Sequence, residues 1–81
     1  MSTITLLYFA QASRLAGLER EQIPWRGGSV QELGDEVVRR HPALAELRSS
    51  WSFAVDEEMA GPGVSVLTGQ TVAIMPPFSG G

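Results

Sequence analysis

The segment from Gly27 to Pro42, GGSVQELGDEVVRRHP, constrains this chain more than any other. Ser29 and Glu32 form a Ser-x-x-Glu capping box, in which the hydroxyl satisfies a free amide of the first turn and the carboxylate reaches back to the cap. Val30, Leu33, Val37 and Val38 follow at helical spacing, Arg39 and Arg40 suit the negative end of the helix dipole, and Pro42 prevents simple continuation. One amphipathic helix is therefore expected from about Val30 to His41. Its apolar stripe must be covered by another layer, and no second helix of comparable strength is available to do it. Gly34 interrupts the pattern at a cost of about 1 kcal/mol relative to alanine. It faces the same side as Val30, so a close approach of helix to sheet is expected there. His41, the only histidine, is read as a capping or surface residue, and a lone histidine makes no metal site.

The remaining segments read mostly as strands. In TITLLYFAQ, Ile4, Leu6 and Tyr8 point to one face and Thr5, Leu7 and Phe9 to the other; both faces turn apolar, as in a central strand. ASRLAG could make one helical turn that stops at Gly17. REQIPW is a weaker strand, which Pro24 would confine to a sheet edge. ALAEL is a second short helical turn, and WSFAVDEEM reads as a strand with Phe53 and Val55 inward. After turn residues at Gly61, Pro62, Gly63 and Gly69, TVAIM is the final strand, with Val72 and Ile74 on one face and Ala73 and Met75 on the other.

The order strand, strand, helix, strand, strand, with one main helix across one face of a mixed sheet of four to five strands, is an α+β arrangement of the β-grasp, ubiquitin-like kind. The first and last strands would lie side by side and parallel at the sheet centre, joined by the long crossover this topology requires. The 81 residues make one domain. We expect a β-grasp domain over residues 1–75 and an extended tail over 76–81. With 43% apolar residues the chain needs no staple, and it has no cysteine to make one.

Composition removes several functions. The formal charge is −3 and the arginines are scattered, so no nucleic-acid partner is expected. The absence of cysteine leaves no side-chain thiolate to act as nucleophile, hold a persulfide or bind zinc, and it fits a reducing compartment. No apolar run approaches the roughly 20 residues that span a bilayer, and no signal-peptide pattern opens the chain. A soluble, cytoplasmic protein with no membrane partner is expected. Phosphate-loop, nucleophile-elbow and His-Glu-x-x-His motifs are missing, and the acidic run Asp56, Glu57, Glu58 reads as a solvated turn. No metal site is expected.

What remains is the ending, IMPPFSGG. An α-carboxylate is ionised at neutral pH and is a poor electrophile. Joining it to AMP as a mixed anhydride supplies a leaving group and opens the carbonyl to attack by sulfur or an amine. Gly80 and Gly81, lacking Cβ atoms, form the thinnest peptide and could thread a narrow tunnel. Pro76 and Pro77 restrict φ and end sheet pairing, so the tail should leave as a directed arm. Six residues at about 3.3 Å each reach about 20 Å, deep enough for a partner's active site.

The segments LLYFAQASRLAG, SVQELGDEVVRRHP, FAVDEEM and GQTVAIMPPFSGG, taken in order, resemble the molybdopterin synthase small subunits, within the larger family of ubiquitin-like sulfur carriers. The most specific parts are Phe-Ala-Gln followed by Leu-x-Gly, and the final Pro-Pro-x-Ser-Gly-Gly. Two departures stand out: Asp56 where the family commonly has Asn, and Thr68-Gly69-Gln70 where it often has an Asp-Gly-Asp turn.

The resemblance implies a sulfur carrier for molybdenum cofactor biosynthesis that is not an enzyme alone. A ubiquitin-activating-like enzyme, using ATP and Mg, would adenylate Gly81, and a sulfur donor protein would convert it to a thiocarboxylate. The carrier would then dock on the large subunit of molybdopterin synthase, as a heterotetramer, and give sulfur to cyclic pyranopterin monophosphate. No cofactor would be bound by the carrier itself. Gly81 would carry the acyl chemistry, Gly80 would permit passage, and Pro76, Pro77, Phe78 and Ser79 would set the arm's direction and contacts. Leu7, Phe9, Ala73 and Met75, with Met59 as an addition, form the expected apolar docking patch. Alternatives are a sulfur carrier for thiamine or amino-acid biosynthesis, a conjugating modifier, and a non-catalytic ubiquitin-like binding module.

Overall fold

The computed structural model describes residues 2–77. The capping box forms as expected: Glu32 N donates to Ser29 Oγ at 3.1 Å and Ser29 N donates to Glu32 Oε1 at 2.8 Å. The helix it opens, α2, runs Val30–Arg40, one residue short of the expectation, with His41 as its C-cap. Val30, Leu33 and Val37 are buried on its inner stripe. On the outer side Arg39 and Arg40 reach Glu36 at 2.6 and 2.8 Å. Arg39 above all, then Arg40, holds the Glu36 carboxyl down at about 2.

The layer that covers α2 is a five-stranded sheet in the order β2-β1-β7-β4-β5. Its strands are β1 Thr3–Tyr8, β2 Arg20–Pro24, β4 Ser52–Val55, β5 Glu58–Ala60 and β7 Thr71–Met75. β1 and β7 are parallel neighbours at the centre, with Leu6 opposite Val72 and Tyr8 opposite Ile74. β2 is an edge strand, where Pro24 needs no ladder donor. The core joins Ile4, Leu6, Ile23, Phe53, Val72 and Ile74 of the sheet to the α2 stripe. Helix α1, Gln11–Ala16, stops at Gly17, whose φ of 81° is left-handed. A 3-10 helix, Pro42–Leu47, occupies the ALAEL segment.

Three features differ from the sequence reading. The WSFAVDEEM segment is not one strand but a hairpin, β4 and β5, closed by Asp56 and Glu57, both at positive φ (48° and 73°). This is the backbone of a type I′ turn, at the acidic run read as a turn; such hairpin turns usually carry Asn-Gly, so Asp-Glu does not announce strand pairing across it. A two-stranded sheet pairs β3, Gly28–Ser29, with β6, Ser65–Val66. Beside it, Val30 N and Gln31 N donate to Val64 O and Pro62 O at 2.8 and 3.0 Å, satisfying free amides at the start of α2. Gly34 approaches a ring rather than sheet backbone: a Cβ there would lie 3.2 Å from Trp51 Cζ2.

Candidate functional site

Alternation along the central strands divides the sheet into an inner face, sealed by α2, and an outer face that no helix among the described residues covers. The cross-strand register sets Leu7 of β1 beside Ala73 of β7, Ala73 beside Ala54 of β4, and Ala54 beside Met59 of β5. Two small side chains at the centre of this row leave a depression, lined by Leu7, Phe9, Ala54, Asp56, Thr71 and Ala73. Leu7 and Ala73 are half-buried, while Phe9 retains 48% of its surface in water. Three of the residues expected from the sequence, Leu7, Phe9 and Ala73, are thus brought together.

Met59 and Met75 are not part of that depression. Met59 sits on the edge strand β5, 68% exposed, in the same cross-strand row but farther out. Met75 lies opposite Ser52 and is half-buried. Ala54 was not singled out from the sequence. Its placement is implicit once Phe53 and Val55 are read as inward, because the residue between them must face the other way.

The same strand that supplies Ala73 also emits the tail. β7 is paired on both sides, to β1 and β4, up to Met75, and Phe9 N donates to Ile74 O at 3.2 Å. Pro76 is half-buried and Pro77 exposed. Phe78, Ser79, Gly80 and Gly81 lie outside the described residues.

The acidic run is exposed and turns the chain, as expected, but Asp56 also makes hydrogen bonds there. Asp56 N donates to Thr71 O at 2.8 Å, and Thr71 N donates back to Asp56 Oδ1 at 2.9 Å. Asp56 Oδ2 accepts from Gln70 Nε2 at 3.1 Å, and Gln70 Oε1 accepts from Leu67 N at 2.7 Å. Asp56 therefore ties the β4–β5 turn to the start of β7, and the two departures from the family pattern, at 56 and 70, touch each other.

On the inner side His41 is more than a surface cap. Its Nε2 lies 2.6 Å from Glu21 Oε2, which also accepts from the Tyr8 hydroxyl at 2.6 Å, and the two rings meet edge to face at 5.6 Å. Burial first, then Glu21, pushes the Tyr8 hydroxyl far up, so it stays a donor. For Glu21 burial is the largest influence and raises its pKa, but the Tyr8 and His41 hydrogen bonds with the nearby charges outweigh it, and the net shift is downward. The cluster joins β1, β2 and the end of α2 and takes no part in the outer face.

Among the described residues no three His, Asp or Glu side chains gather to hold a metal ion, and no helix is long and apolar enough to cross a membrane.

The sequence matches the ThiS family over residues 6–81. It is similar to the molybdopterin synthase sulfur carrier subunit of Homo sapiens, 36% identical over 83 residues and covering 96% of this chain and 93% of the relative. The subunit of the same name from Arabidopsis thaliana is 37% identical over 79 residues, covering 96% of this chain and 82% of the relative. Among solved structures, SAMP1 from Haloferax volcanii superposes with a TM-score of 0.82 at 26% identity, covering 98% and 99% of the two chains. In fold alone, the chain also resembles one from a protein-protein complex of subunits 1 and 2 of molybdopterin-converting factor of Helicobacter pylori 26695. The TM-score there is 0.69 at 16% identity, with 98% and 99% of the chains covered.

Proposed function

The chain belongs to the ThiS family, and from that premise we propose that it is the sulfur carrier subunit of a molybdopterin synthase, acting in molybdenum cofactor biosynthesis. The observation that carries the reading is structural continuity. The strand at the centre of the sheet, β7, both contributes Ala73 to the outer-face depression and leads directly into Pro76 and Pro77. A partner seated on that face is held in fixed register with the root of the tail.

In this reading the reacting group is the carboxyl of Gly81. An activating enzyme joins it to AMP from Mg-ATP with release of pyrophosphate. Sulfide-level sulfur released from a donor protein then attacks the carbonyl and displaces AMP, and the product is a thiocarboxylate. The carrier's own share is presentation: prolines end the sheet pairing and direct the arm, and glycines let it pass a narrow entrance. Neither ATP nor Mg binds to the carrier by itself. The partner for sulfur delivery is the large synthase subunit, which docks over Leu7, Phe9 and Ala73, with Met59 and Met75 at the margin.

The test is the intact mass of the protein after incubation with ATP, Mg, the activating enzyme and a sulfur source. A gain equal to the replacement of one oxygen by sulfur is expected, and no gain with competent partners sinks the reading. The likeness to SAMP1, a small archaeal modifier protein, favours a second reading in which the same activated carboxyl is passed to lysines of other proteins. That reading predicts isopeptide adducts in a lysate blot in place of a thiocarboxylate.

A further inference from the structure

Three non-glycine residues among those described hold positive φ, and all three border the outer face: Ala10, Asp56 and Glu57. L-residues avoid this region because Cβ crowds the backbone, and each such residue costs about 1–3 kcal/mol unless its surroundings compensate. Asp56 is compensated by its hydrogen bonds to Thr71 and Gln70. The other two are not.

Ala10 has φ 50° and ψ −124°, and Ala12 N donates to Phe9 O at 2.9 Å. This is the first central position of a type II′ turn, where glycine is the ordinary occupant. The Ala10 side chain is exposed. It lines a groove with Leu7 and Phe9, which also line the central depression, so the groove adjoins the depression across those two side chains. At the opposite rim Glu57 holds the second position of the I′ turn at φ 73° and lines the depression beside Asp56. The Glu57 side chain is exposed and, among the described residues, takes no part in a side-chain hydrogen bond or ion pair. For the fold alone, glycine would serve better at both positions.

We propose that Ala10 and Glu57 are contact residues of the docking face, retained at the expense of the fold because the partner uses their side chains. The occupant is the large synthase subunit, so the inference rests on the function reading above. It requires of that subunit an apolar seat for the Ala10 methyl and a cation opposite Glu57.

The experiment combines thermal melts of the full chain with calorimetric titration against the purified large subunit at low and high salt. Ala10→Gly raises Tm by about 4 °C yet weakens binding roughly fourfold at both salts, as expected for one lost methyl contact. Glu57→Gln, which keeps the backbone cost, leaves Tm unchanged and weakens binding about threefold at low salt and less at high salt. Glu57→Gly raises Tm and binds like Glu57→Gln. Glycine variants that bind as tightly as the wild type, or that gain no stability, overturn the inference. If instead the wild type itself does not bind the large subunit, it is the function reading that fails.

Discussion

The two faces of the sheet are made by the same strands and differ in almost everything else. On the inner side of β1, β7 and β4, Ile4, Leu6, Val72, Ile74, Phe53 and Val55 are branched or aromatic and retain at most 7% of their surface in water. On the outer side Thr5, Leu7, Thr71, Ala73 and Met75 are half-buried, and only the small Ala54 between them falls to 7%. The inner face holds the fold together, and the outer face is the one we propose for a partner. Stability and recognition are thus separated by the period-two alternation of a strand, so each can be damaged without the other.

The sharpest way to break this comparison is a matched pair of truncations one residue apart. Leu6→Ala, in the sealed core, should cost about 2–5 kcal/mol in denaturant unfolding. Leu7→Ala, on the outer side of the same strand, should cost less than about 1 kcal/mol. Equal losses would mean that the outer face is part of the core.

Phe9→Arg is the complementary test. It puts an unpaired charge into an apolar contact and should weaken docking on the large subunit by about tenfold or more, with the melting curve unchanged. Undiminished affinity would remove the outer face as the docking surface.

A smaller effect separates the inner cluster. Glu21 titrates below its ordinary value in the folded state. Its contribution is therefore present above the unfolded-state pKa and lost as pH falls through the folded one. Glu21→Gln should cost about 1–2 kcal/mol near neutral pH. It should also flatten the acid limb of a stability-versus-pH curve, leaving the part due to Glu36. Docking should not change.

Asp56→Ala should cost only about 1 kcal/mol, because its hydrogen bonds lie at an exposed hairpin turn. Since that turn rims the depression, this variant should also alter docking slightly, measured by the same titration.

Much of this division was legible in the residues. The capping box at Ser29 and Glu32 located the helix to within one residue, because the signal is local and the chemistry reciprocal. The alternation in TITLLY and TVAIM assigned Leu7 and Ala73 to one face, because period two leaves no other choice. What escaped depended on contacts distant in sequence. The hairpin at Asp56 and Glu57 lacks the glycine that announces such turns, and its geometry is fixed instead by Thr71 and Gln70. The Tyr8, Glu21 and His41 cluster joins three segments that no local pattern relates. Gly34 is a close approach, but to the Trp51 ring and not to the sheet, a neighbour only the folded chain identifies.

The central claim is that the outer face positions a carboxyl group that is changed chemically. The direct measurement is the mass of the C-terminal peptide cleaved from protein isolated from its own cells. The account predicts a fraction in which one oxygen of the Gly81 carboxyl is replaced by sulfur. Sulfur located on any other peptide, or a carboxylate that stays unmodified in cells making the synthase, would contradict it.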